Sequence, residues 1–152
     1  MFNVKTNTAR FYKGILLGYW IISCLAIVTY LYIRAISSGE GLQTLLQNQV
    51  TSAISFLVAM ITLGNFFILS NEKKFNFSED DAKGVLYAIL VQQCCMLNLL
   101  GAILVFLYLK SKKDTFNLSL EKVQPRIKGL MLAILLIAAF LLFVLLRLRF
   151  FA

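Results

Sequence analysis

Histidine is absent from the 152 residues. Its absence removes His-ligated haem, most zinc and copper sites, and a histidine general base. Acidic residues are scarce, seven against fifteen Lys and Arg, for a formal net charge of +8. The three cysteines, Cys24, Cys94 and Cys95, form no C-x-x-C pair, so thiol–disulfide exchange has no motif to work through. They read instead as small apolar residues. There is no Walker loop, G-x-S-x-G elbow, zinc signature or Rossmann fingerprint. The chain is therefore expected to be non-enzymatic, with no catalytic residue, no cofactor and no metal ligand.

What is present is apolar and clustered. Sixty per cent of the residues are hydrophobic, against about 45–50% in soluble domains. They fall in four blocks, 14–33, 50–69, 84–109 and 129–146. A stretch of about 20 apolar residues matches the thickness of a bilayer core. The fold class that follows is all-α: a polytopic membrane protein, a bundle of about four transmembrane helices making one domain over 1–152. The second block is the weakest, diluted by Thr51, Ser52, Ser55, Thr62 and Asn65. The third, at 26 residues, is longer than a bilayer needs and predicts a tilted or protruding helix. The fourth has no polar side chain from Gly129 to Leu146.

The connections carry helix-start signals. Ser78 and Asp81 have capping-box spacing ahead of the third block. Pro125, the only proline, suits the first turn of the fourth helix. Glu79, Asp80 and Asp81 read as a solvated helix start that favours the positive end of the helix dipole. Lys-Gly opens three blocks, at Lys13-Gly14, Lys83-Gly84 and Lys128-Gly129.

The basic residues flank the blocks, where Lys and Arg meet lipid headgroups, so membrane lipid and not nucleic acid is the expected partner of the charge. Four crossings leave eight Lys and Arg on one side and seven on the other, which gives the positive-inside rule no excess to act on. The first block has three basic residues before it and one after. That local bias places both termini in the cytoplasm of a bacterial cytoplasmic (inner) membrane. The 110–128 loop, with six basic residues, argues against that orientation.

No block has a charged residue in its interior, unlike the proton-coupled carriers and voltage sensors that depend on one. Uncharged polarity remains. Ser52, Ser55 and Thr62 share one side of the second helix, and Gln92 and Asn98 one side of the third. They read as helix packing, or as the two banks of a polar path. Gly14 with Gly18, and Gly129 with Ala133, give small-x-x-x-small faces for helix contact. Gln93 is turned about 100° from Gln92 and is expected to meet a partner, as are Lys110, Lys112 and Lys113.

The function expected is contact through helices with another integral membrane protein, as an accessory subunit or an immunity- or exclusion-type modulator. In size and hydropathy alone the chain is similar to the small multi-span immunity proteins of pore-forming bacteriocins. The alternative is self-association into a homo-oligomeric channel or small carrier, with the polar path between the second and third helices.

Overall fold

The computed structural model describes residues 4–112 and 120–151. Among these there are six α-helices and one 3-10 turn, and no strand. The helices are α1 (Val4–Ser38), α2 (Leu42–Asn48), α3 (Val50–Ser70), α4 (Glu79–Cys95), α5 (Leu99–Ser111) and α6 (Pro125–Phe151). Three are long and apolar enough to cross a membrane, over Thr8–Ser38, Val50–Ser70 and Pro125–Leu148. They correspond to the first, second and fourth apolar blocks.

The third block differs from expectation. It is not one helix over 84–109 but two, α4 and α5, separated by Met96–Asn98. The break is a helix-ending motif in which the Leu97 N–H donates to the Cys94 carbonyl and the Asn98 N–H to the Gln93 carbonyl. Leu97 takes the left-handed conformation this motif requires, at φ 56°. Asn98 then caps α5, its side chain accepting from the Gly101 N–H at 3.1 Å. The chain reverses: α5 packs back on α4, and Lys112, just past its end, lines one cleft with Glu79 and Ala82 at the start of α4.

Residues 35–49, between the first two apolar blocks, hold the end of α1 and the short helix α2. Gly39, at φ 68°, supplies the left-handed residue that ends α1.

The chain divides into two compact units, Leu17–Ser70, and Met1–Leu16 with Asn71–Ala152. In the first, α2 packs on α3. Leu45 of α2 is buried, and Ala26, Ile27 and Tyr30 of α1 line a groove with Ile54, Ser55 and Val58 of α3.

In the second unit α4 packs against both α5 and α6. The position suits its sequence. Its buried residues, among them Val85, Leu86, Ala88, Ile89, Gln92 and Gln93, occupy most of its circumference. Its two neighbours are buried on single stripes. On α5 these are Gly101, Ala102, Val105, Tyr108 and Leu109. On α6 they are Ile127, Ile134, Ala138 and Leu141, at helical spacing. Gly84 faces α6, where a Cβ would stand 2.8 Å from Met131 Sδ.

Candidate functional site: the polar end and the hairpin turn

The start of α4 has the capping box that its sequence predicts. Asp81 N–H donates to Ser78 Oγ at 3.1 Å, and Ser78 N–H to Asp81 Oδ2 at 3.0 Å. The acidic start is not uniformly solvated, however. Asp81 is fully buried, and its second oxygen, Oδ1, accepts the backbone N–H of Gln124 at 2.9 Å. Gln124 immediately precedes α6, and its carbonyl accepts from Ile127 and Lys128 in the first turn. One carboxylate therefore satisfies orphan donors at the starts of two helices. Burial pushes its pKa up, but the bonds from Gln124 and Ser78 outweigh that and hold it below the ordinary 3.8.

Lysines crowd the same end. Lys83 is buried and pairs with Glu79 at 3.3 Å, one turn earlier. Lys13, from the part of α1 in this unit, pairs with Glu72 at 2.7 Å. Lys112 lies 5.1 Å from the centre of the Tyr108 ring. Burial holds its pKa below the usual lysine value, partly offset by the Glu72 charge. Glu72, Lys73, Phe77, Glu79, Ala82 and Lys112 line a cleft of about 170 Å³.

The turn between α4 and α5 carries a second polar group. Asn98 Nδ2 donates to Gln93 Oε1 at 2.6 Å, while Asn98 Oδ1 accepts from Gly101. The chain of bonds has a fixed direction, because it begins at a backbone N–H, which can only donate. It ends at Gln93 Nε2, a buried donor with no partner among the described residues. Gly101 makes room for it: a Cβ there would meet Gln93 Oε1 at 2.5 Å and Asn98 Nδ2 at 2.7 Å.

Set against expectation, the site residues separate into three groups. Ser52, Thr62 and Gln92 are buried. Thr62 donates to its own helix at Val58, and Ser55 to its own at Thr51. Ser55 lines the groove shared with α1. Asn98 is a helix cap at a turn, not a mid-helix polar residue.

Gln93 is enclosed rather than outward-facing. The 100° argument holds for a helix with one neighbour, but α4 has one on either side. Lys110 is exposed, Lys112 lines the cleft, and Lys113 lies outside the described residues.

Among the described residues, nothing packs closely on the small faces. A Cβ at Gly14, Gly18 or Gly129 would meet nothing within 4 Å, and Ala133 is exposed. The glycines that do make close contacts are Gly84 and Gly101. For Gly101 the available signal was its place three residues after a capping Asn.

Three apolar helices of membrane-spanning length, with charge confined to their ends, define a polytopic α-helical membrane protein. Comparison with protein-family models, with curated protein sequences and with solved structures gives no match.

Proposed function

We propose that the chain is a small non-enzymatic protein of a bacterial cytoplasmic membrane that acts by laying its helices against another integral membrane protein, as an accessory subunit or as an immunity- or exclusion-type modulator. The observation that carries this reading is the open small-residue face of α6. Ile127, Ile134, Ala138 and Leu141 are buried within the chain. Gly129, Ala133, Leu136 and Phe140 form a different stripe at helical spacing and are exposed. Lipid provides no hydrophobic drive between helices, so close backbone approach at small residues is a main source of association. A small-x-x-x-small face left unused by its own chain has the form of a docking face for a second chain. Gly14 and Gly18 repeat the arrangement on α1.

The test is extraction in mild detergent and mass spectrometry of what remains bound at fixed stoichiometry, for the wild type and for Gly129→Val with Ala133→Leu. The expected result is a membrane protein partner retained by the first and lost by the second, with unchanged thermal unfolding. Recovery of the chain alone, with or without the substitutions, would sink the reading.

One observation favours self-association into a channel or carrier. Ser52, Thr62, Asn65, Gln92 and Gln93 are buried polar residues within apolar helices. A defined homo-oligomer that conducts ions or water in liposomes would establish that alternative, and Thr62→Val should then alter flux.

A further inference from the structure

The turn between α4 and α5 differs from an ordinary loop at a membrane surface. Leu97, Leu99 and Leu100 stand there 73%, 70% and 56% exposed. An aqueous loop is polar as a rule, whereas this one presents leucine to its surroundings. Much of its backbone is also bonded internally: Met96, Leu97 and Asn98 donate to carbonyls of α4, Gly101 to the Asn98 side chain and Ala102 to the Asn98 carbonyl. Non-helical backbone in hydrocarbon needs such internal partners.

The arms are short. From Gly84 to Cys95 the apolar part of α4 rises about 18 Å, and from Leu99 to Leu109 α5 rises about 17 Å. A bilayer core is about 30 Å thick.

Four chain segments meet at the opposite end from that turn. Lys13 pairs with Glu72, Asp81 bonds Gln124, and Lys112 lines the cleft with Glu72 and Glu79. Lys13, Glu72, Glu79, Lys112 and Gln124 therefore share one membrane face. Between Lys13 and Glu72 the chain crosses and returns, through α1 and α3. Between Glu79 and Lys112 it enters and returns without crossing. After Gln124 it crosses once, through α6.

We propose that the chain crosses the membrane three times, that α4 and α5 form a re-entrant hairpin, and that the face gathering the basic residues lies against the anionic cytoplasmic leaflet, with the end of α6 on the far side. This replaces the arrangement with both termini in the cytoplasm. The charges supply an independent argument. With Lys113 left aside, eleven Lys and Arg precede the first block or lie in the 71–83 and 110–128 segments. Three, Arg34, Arg147 and Arg149, belong to the other face. The near-balance implied by four crossings becomes a strong positive-inside bias. Cytoplasmic leaflets are negatively charged and attract such segments. The three Lys-Gly pairs, at Lys13, Lys83 and Lys128, also come to mark one boundary.

Two native lysines test this on the full chain. Lys74 and Lys110 are exposed and fall on the same face under the proposal, but on opposite faces if the third block crosses. Sealed right-side-out and inverted membrane vesicles are treated with a membrane-impermeant amine reagent, and the modified lysines are read by mass spectrometry. N- and C-terminal epitope tags are scored for protease access in the same vesicles. The expected result is that Lys74, Lys110 and the N-terminal tag react only in inverted vesicles, and the C-terminal tag only in right-side-out ones. Labelling of Lys74 and Lys110 from opposite sides, or both tags cut from one side, overturns it. Equal reaction in both preparations also overturns it, since that means mixed orientation.

Discussion

The backbone N–H of Gln124 donates to Asp81 Oδ1 at 2.9 Å, joining the starts of α4 and α6 across 43 residues of chain. The bond is part-buried and its acceptor is ionised, which makes a hydrogen bond count for more. Asp81 is also half of the capping box with Ser78. Loss of its carboxylate should thus be felt in two helices at once.

Asp81→Ala is expected to lower unfolding stability by about 2 kcal/mol, since a lost cap is worth about 1 kcal/mol and the part-buried bond from the Gln124 N–H about 1 more. Asp80→Ala, which removes neither bond, should change it little. Thermal unfolding in detergent, followed by helical circular dichroism, gives both values. Equal effects at the two positions would refute the assignment.

The same carboxylate sets an acid limit. Its pKa in the fold lies below the ordinary 3.8. The stabilisation is therefore complete above that value and is lost as the pH falls through the lower, folded-state pKa. Unfolding temperature measured from pH 6 down to pH 2 should drop in that acid range for the wild type. The Asp81→Asn variant should start lower and show a shallower drop.

Gly101→Ala should destabilise the hairpin by about 1–3 kcal/mol by forcing apart the Gln93 and Asn98 amides. The cause can be separated from a general loss of helix packing by a double-mutant cycle. In the Gln93→Ala background the nearest obstructing atom is gone and Asn98 Nδ2, at 2.7 Å, loses the partner that holds it, so Gly101→Ala should cost less. Strict additivity of the two changes would show that the amide is not what the methyl meets.

Leu97→Gly is expected to be neutral to stabilising, by up to about 1 kcal/mol, although it removes a large apolar side chain. A left-handed conformation costs an ordinary residue about 1–2 kcal/mol and glycine essentially none, with glycine's greater chain entropy taking back part of the gain. Leu97 is largely exposed, so little packing is lost. A clear loss of thermal stability in detergent would contradict the turn geometry.

Much of this architecture was legible in the sequence, and the reason differs from part to part. Hydropathy located α1, α3 and α6 because crossing a bilayer demands a long apolar run and little else. Ser78 with Asp81, and Pro125, marked two helix starts because capping chemistry is local.

The break at Leu97 was not legible, because neither glycine nor proline stands between Val85 and Leu100 to announce it. The polar residues of the third block, Gln92, Gln93 and Asn98, are uncharged and no more frequent than those of the second block, and hydropathy is blind to a reversal inside hydrocarbon. Two traces of it were present: a block of 26 residues where about 20 suffice, and basic residues divided eight to seven. The role of Gln93 was hidden for a related reason. Its face depends on how many helices surround α4, which is a property of tertiary packing.

The reversal at Met96–Asn98 also bears on electrostatics. A helix carries about half a positive charge at its amino end and half a negative charge at its carboxyl end. At the turn the carboxyl end of α4 meets the amino end of α5, and the two fields largely cancel. Either helix ending alone at that depth would expose its partial charge to hydrocarbon, where nothing screens it. Each arm therefore favours the insertion of the other, and a chain cut within α5 is expected to weaken the hold of α4 on the bilayer as well.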